Sequence, residues 1–435
     1  MSPTFKSLET RNYRIYAQGA IVSNIGTWLQ NTAQAWLMLE LTGNGALLGL
    51  VIAMQLVPTL FLSPVAGLIA DSYSKRRILA WMQLGMALPA ATLGVLAIFG
   101  FVQTWHVLTL AFIFGIARAF EAPARQSFVS EMVDRKTLSN AVALNSASFN
   151  AGRLIGPALA GLMIAALGSG VAATGWVILL NALSYGFVLY ALWAMDGSRL
   201  RPAPRTASGG HAIRDGLSYV WSRPDLVLLL TIVFFIGAFG MTFQITSALM
   251  ATDVFGKGAG EFGILGSFLA IGSLAGALLA ARRQSPRLRY IVFAGLAFSA
   301  VQIVSGLMPT YWSYAAVLPL VGMSVLTAGT TASAVIQMTT VPHMRGRVGS
   351  IYLMVFMGAV PLGSPVIGWA GEYVGAREAI VLSGLLCGVG ILLASALYAA
   401  IMKRNTHRSW VELLSAGAAS SASDAATSTR EKALS

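Results

Sequence analysis

Residues 135–161 read RKTLSNAVALNSASFNAGRLIGPALAG, and residues 343–369 read HMRGRVGSIYLMVFMGAVPLGSPVIGW. Laid over one another, the two stretches bring Pro157 onto Pro365, each proline following a glycine by one or two positions inside an apolar run. Both copies carry basic residues at their head and then turn apolar. A weak repeat of this kind at half-chain distance marks a chain built twice from one helical unit.

The composition says what kind of unit. Of 435 residues, 56% are hydrophobic and 10% charged, with a mean hydropathy of +0.71. That is the balance of a chain that crosses a bilayer many times, each crossing needing roughly 20 apolar residues. Suitable runs fall at 16–39, 46–70, 77–100, 105–128, 139–167 and 174–195, and then at 226–251, 260–281, 288–308, 311–340, 349–373 and 377–402. The expected fold is an all-α integral membrane protein with twelve crossings in two pseudo-symmetric six-helix halves.

The formal charge of +13 would suggest nucleic acid in a soluble protein, but its placement excludes that reading. Lys6, Arg11, Arg14, Lys75, Arg76, Arg77, Arg125, Arg135 and Lys136 all fall on one side of the predicted bundle, as do Arg199 to Arg223, Arg282 to Arg289, Arg345 and Arg347. The other side receives Lys257 and Arg377. By the positive-inside rule the basic side and both termini are cytoplasmic, in the cell (inner) membrane. One cysteine and four scattered histidines support neither a disulfide framework nor a metal site, and the N-terminus lacks the pattern of a removable signal. No Walker sequence occurs, so no nucleotide and no other cofactor is expected.

The chain divides into a first half, 1–195, a cytoplasmic linker, 196–224, a second half, 225–402, and a Ser/Ala-rich tail, 403–435, expected to be disordered. Within the linker, Ile213, Leu217, Val220 and Trp221 recur at helical spacing, which predicts a short amphipathic helix on the membrane face.

Ionisable residues inside a span are costly unless they face a cavity or a partner. Arg118 and Glu121 in the fourth span and Arg153 in the fifth are the candidates. A spacing of three places Arg118 and Glu121 on one helix face, close enough to pair, either as a proton-carrying unit or as a static neutral one. Of the sixteen acids Glu121 alone lies well inside a span. The first span carries Asn24, Thr27, Gln30, Asn31 and Gln34 on a broad stripe with Trp28 beside it; these either line a polar path or bridge helices. Asn145, Asn150, Gln244 and Gln337 are weaker cavity candidates of the same kind. Arg153 points to the cavity, to a partner such as Glu121, or snorkels to the surface. Gly152, Gly156 and Gly161 allow a neighbouring helix to approach, and Pro157 allows a bend. At the end of the second span, Gly67, Asp71, Lys75, Arg76 and Arg77 form a candidate conformational latch, the acid pairing with those bases or with a helix N-terminus in one conformation.

Three of these stretches carry a family resemblance that covers residues 10–402. GLIADSYSKRRI, residues 67–78, is similar to the loop signature between the second and third helices of the major facilitator superfamily, with Gly67 and Asp71 in place, Arg76 and Arg77 as later bases, and Ser72 and Ser74 replacing the usual Arg and Gly. GRLIGPALAG, residues 152–161, resembles the fifth-helix antiporter signature, with Ala160 at one glycine position, and this implies export. ARAFEAPA, residues 117–124, looks like the fourth-helix signature, with Glu121 where Gln is usual, which implies that Arg118 takes part in proton coupling.

The overall texture resembles the enterobactin-exporter and macrolide-efflux branch. The function implied is proton-coupled export of an amphipathic small molecule by a monomer whose partners are substrate, protons and the lipid bilayer, with no nucleic acid. Uptake of a nutrient on the same fold, or a membrane sensor without transport, are the alternatives. No residue cluster suggests an enzyme.

Overall fold

The structure, a computed structural model, describes residues 3–201, 212–281 and 288–403. Among the described residues it is helical throughout, with no strand. A short 3-10 helix, Pro3–Glu9, leads into α1 (Arg11–Thr42), α2 (Gly45–Ser72), α3 (Lys75–Ile98), α4 (Thr104–Met132), α5 (Arg135–Ala166) and α6 (Gly170–Ala194). A connector helix, α7 (Ala212–Trp221), precedes α8 (Pro224–Val254), α9 (Ala259–Ala281), α10 (Leu288–Gly306), α11 (Tyr311–Thr339), α12 (Arg345–Tyr373) and α13 (Ala376–Lys403).

Eleven of these helices are long and apolar enough to cross a membrane, and α1 falls short of that apolarity despite its 32 residues. The reason is its load of amides and hydroxyls: Asn12, Ser23, Asn24, Gln30, Thr32 and Gln34 are all buried. Lipid would leave their polar groups unsatisfied, whereas α5 and α6, packed along α1, enclose them. The expected twelfth crossing is this polar helix. Its C-terminus is closed by Gly43 in the left-handed conformation (φ 59°), and Asn44 caps α2 by accepting from the Leu47 N–H at 2.9 Å.

In the first half α3 packs on α6 and α4, α2 on α4, and α1 on α5 and α6. In the second, α9 and α10 pack on α11, and α8 on α12. Two principal pairs join the halves, α2 with α12 and α5 with α9, and α8 makes smaller contacts with α1 and α2. The sequence repeat explains why there are two: it maps α5 onto α12, so each half contributes one Gly-Pro helix to the other.

The contacts are backbone to backbone. A Cβ at Gly263 would lie 2.2 Å from the Pro157 carbonyl oxygen, and one at Gly49 would lie 2.3 Å from that of Ser364. Gly161 meets the Ala259 carbonyl and Gly368 that of Gly45 in the same way. Pro157 also removes an N–H from the α5 ladder, and nearby the Ser267 hydroxyl of α9 donates to the Leu154 carbonyl at 2.6 Å.

Further bonds between the halves run from the Gly45 N–H to Glu372 Oε2 at 2.8 Å and from Gln244 Nε2 to the Asn31 carbonyl at 2.9 Å. These contacts lie between mid-membrane and the end opposite Lys75–Arg77 and Arg135–Lys136, here termed the distal end; the other is the basic end. The halves are therefore pressed together distally, while α4 and α11 at the basic end pack within their own halves.

At the basic end α7 rests on α12, with Arg347 Nη1 3.1 Å from Asp215 Oδ2 and Gly216 against Arg347 and Ile351. Val220 is buried, and Leu217 and Trp221 are exposed. Ile213 has no described side chain, residues 202–211 of the connection lie outside the described residues, and so does the tail from 404 on. The helix α8 contains two π-helical turns, Ile236–Gly240 and Met250–Val254. At the first, α12 presses closely, with Gly363 against the Ala238 carbonyl.

Gly263→Leu is expected to hold the distal ends apart, at an overpacking cost of about 1–3 kcal/mol. A cysteine introduced at Ala259, 3% exposed in the native packing, should then be alkylated several-fold faster than in the parent; an unchanged rate would contradict the assignment of this contact as the distal seal.

Candidate functional site

The candidate site lies inside the first half, where α1, α3, α4, α5 and α6 leave a cavity of about 40 Å³. Space of that size admits on the order of two or three waters. Ser23, Asn24, Thr27 and Trp28 of α1, Gln83 and Met86 of α3, and Phe114, Arg118, Glu121 and Arg125 of α4 line it, with Phe149 of α5 and Tyr185 of α6. The α4 residues converge because 118, 121 and 125 occupy one helix face at intervals of three and four.

Glu121 is buried, 6% exposed, and its carboxylate is engaged by Arg125, Nε to Oε1 3.3 Å. The expected pairing with Arg118 is not formed: the i,i+4 neighbour takes the carboxylate instead. From the sequence, Arg125 falls with the charges of the basic end, three residues before the expected close of the fourth span at 128. The helix continues to Met132, which puts Arg125 about two turns inside.

Arg125 also donates from Nη1 to Asn24 Oδ1 at 3.0 Å, and Asn24 Nδ2 donates to Ser148 Oγ at 2.9 Å. One asparagine thus ties α4 to α5 through α1. Arg118 and Arg153 have no acid within ion-pair distance among the described residues. The Arg153 guanidinium sits 5.8 Å from the Trp28 ring centroid, a cation–π contact, and does not reach Glu121. Trp28 is itself held edge-on by Phe149 at 5.7 Å. The ring therefore forms one wall shared by the cavity and Arg153.

Gly152 and Gly156 make this possible. A Cβ at Gly152 would lie 2.8 Å from the Asn24 carbonyl, and one at Gly156 would lie 2.6 Å from Trp28 Cβ.

The rest of the α1 stripe divides. Asn24, Thr27 and Trp28 reach the cavity. Gln30 accepts from Asn181 Nδ2 of α6, and Gln34 accepts from Gln55 Nε2 of α2 at 3.1 Å, so these two bridge helices. Asn31 receives Gln244 on its carbonyl, while its side-chain oxygen is buried without a partner. Among the weaker candidates Asn150 bonds back to the Ser146 carbonyl of its own helix, Asn145 is half-buried, and Gln337 is exposed. None of the three lines the cavity. Seven lining residues are not among the candidates that the sequence offers: Ser23, Gln83, whose Oε1 is buried without a partner, Met86, Phe114, Arg125, Phe149 and Tyr185. Arg125 apart, nothing in their local pattern distinguishes them from core residues.

At the basic end two of the three bases expected to serve Asp71 are engaged elsewhere. Lys75 Nζ lies 2.7 Å from Glu131 Oε1, both side chains buried, and Arg76 donates to the Leu192 and Trp193 carbonyls at 2.7 and 3.1 Å, closing the end of α6. The side chain of Asp71 lies outside the described residues, and Gly67 has open space beside it.

A profile of transmembrane secretion effectors matches residues 2–415. The chain belongs to this family, within the major facilitator superfamily. It is 26% identical over 367 residues to the staphyloferrin A transporter of Staphylococcus aureus, covering 83% of this chain and 90% of that one. It is 27% identical over 382 residues to the multidrug efflux pump Tap of Mycolicibacterium fortuitum, covering 85% and 92%, and 21% identical to macrolide efflux protein A of Streptococcus pyogenes, covering 88% and 94%.

Among solved structures, a bacterial homologue of the lysosomal transporter Spinster, inward-facing and occupied, superposes with a TM-score of 0.70 at 15% identity over 89% of this chain and 97% of that one. A D-xylose–proton symporter superposes with 0.67 at 12% identity over 87% and 96%. At these identities the structures speak for the fold alone. This member of the family is a multi-pass membrane transporter, not an enzyme.

Removing one partner of the Lys75–Glu131 pair leaves a buried charge unmatched, so Lys75→Met should cost about 3 kcal/mol or more. The double variant Lys75→Met, Glu131→Leu should regain most of it, as read by thermal unfolding in detergent. Equal losses in the single and double variants would contradict a buried pair.

Proposed function

We propose that this transporter is a proton-coupled exporter of an amphipathic small molecule, working by alternating access, with Glu121 as the group that carries the proton. The observation that carries the reading is the placement of Glu121: one acid at membrane depth, buried in a polar cavity, its charge held by Arg125 with Arg118 on the same face. Protonation neutralises the carboxylate and releases Arg125, and with it the Asn24 link between α4 and α5. A change of charge at one atom is thereby coupled to the packing of three helices.

The orientation follows from the charges, with the basic end and both termini in the cytoplasm. The distal seal then closes the outer side, the arrangement in which an exporter loads from within. Two of the relatives are named for efflux, of multiple drugs and of macrolides, which supports outward movement, and the third is named as a transporter of staphyloferrin A. In this conformation the cavity admits a few waters and no amphipathic substrate; Trp28, Phe149, Phe114 and Met86 on the apolar side and Asn24, Thr27 and Gln83 on the polar side are the walls that a widening of the first half would present to one. On the outward stroke, Lys75–Glu131 and Arg76 keep α3, α4 and α6 together at the basic end, so the half rocks as a block.

In inverted vesicles with an acidic lumen, the wild type is expected to accumulate a radiolabelled macrolide or staphyloferrin A, and collapse of the gradient should abolish accumulation. Glu121→Gln should lose gradient-driven accumulation while retaining equilibrium binding. Full accumulation in Glu121→Gln would reject Glu121 as the carrier, and uptake confined to whole cells would reverse the direction.

A further inference from the structure

Apart from the cavity of the first half, a groove of about 780 Å³ lies at the basic end, between the start of α3 and the end of α6. Tyr73, Ser74, Lys75, Arg76, Arg77 and Trp193 line much of it. Its charges do not cancel. Glu131 neutralises Lys75, Arg76 is bound to carbonyls rather than to an acid, and Arg77 is exposed with no partner among the described residues. The first turn of α3 adds to this, because Ser74 at its N-cap makes no side-chain bond to the free N–H groups.

The surroundings say which kind of anion fits. Arg77 lies at the head of a stripe on α3 whose next members are Trp81, Leu84 and Leu88, all exposed, at 69%, 39% and 65%. These positions follow Arg77 by four, seven and eleven residues, one face of a helix. On α6 the matching outer stripe is Leu183, Phe187, Tyr190 and Trp193, also exposed. The two helices pack side by side. Their outer faces form one continuous apolar strip suited to hydrocarbon, and the strip ends in an aromatic and basic rim at the level where Trp and Tyr meet the membrane surface.

We infer that this groove binds the headgroup of an anionic phospholipid, with its phosphate at Arg77 and the first turn of α3, Trp193 beside the glycerol, and its acyl chains along α3 and α6. The charge surplus selects an anionic headgroup, and the apolar strip selects a lipid over a soluble phosphate. The site is separate from the central cavity and does not depend on what is transported or on how transport is driven.

The test is native mass spectrometry of the full chain in detergent, with phosphatidylglycerol or phosphatidylcholine of identical acyl chains added. The wild type should retain phosphatidylglycerol in preference to phosphatidylcholine, and excess inorganic phosphate should leave it bound. Arg77→Gln should lower retained phosphatidylglycerol by about fivefold, with phosphatidylcholine and the unfolding temperature unchanged, and Arg77→Lys should restore it. Equal retention of the two lipids by the wild type overturns the assignment without recourse to any variant. Displacement by inorganic phosphate, or undiminished binding in Arg77→Gln, overturns it as well.

Discussion

The architecture depends on two places where one half's carbonyl oxygen occupies the space that a side chain would need on the other. At Gly263 and Gly49 the backbones of α9 and α2 come within van der Waals reach of the helix turns that hold Pro157 and Ser364. Dispersion between flat helix faces is the main attraction available to helices in lipid, where water supplies no driving force. Contact this close is strong when made and lost over a fraction of an ångström, so the interface has two states rather than a continuum. The repeated Gly-Pro helix supplies one such contact to each side of the pseudo-two-fold axis, which keeps the closure symmetric.

Much of this was legible because hydropathy and charge in a membrane protein report directly on position. The repeat around Pro157 and Pro365, the alternation of basic and neutral connections and the length of the apolar runs carry the helix order and the two halves. The close approach promised by Gly152, Gly156 and Gly161 is present, but it serves two partners: Gly152 and Gly156 admit α1 of the same half, while Gly161 admits α9 of the other. Spacing on one helix cannot say which neighbour fills each notch.

Electrostatic partners were harder to read for a related reason. Arg125 and Lys75 looked like surface charges because each lies near a span end in sequence. The helices run further than their apolar cores, and both residues are drawn inward by an acid, Glu121 on the same helix in one case and Glu131 on a different helix in the other. The first pairing is within reach of i,i+4 spacing, since both residues lie inside the expected span 105–128. The second is tertiary, and so are the contributions of Gln83, Phe149 and Tyr185 to the cavity. Arg153 shows the opposite case: its depth was evident from the sequence, yet its neighbour is an aromatic ring and not an acid.

The polarity of α1 has a consequence for how the chain enters the membrane. Among the described crossings it comes first in the chain, and by composition it gains little from partitioning alone, since its buried amides find partners on α2, α5 and α6, and its Asn31 carbonyl accepts from Gln244 of α8 across the midline. Those partners are synthesised later. Biogenesis of the first half is thus an assembly problem, in which α1 becomes stable in lipid once α5 and α6 have arrived to cover it. The features that give the transporter a polar interior also make its insertion cooperative.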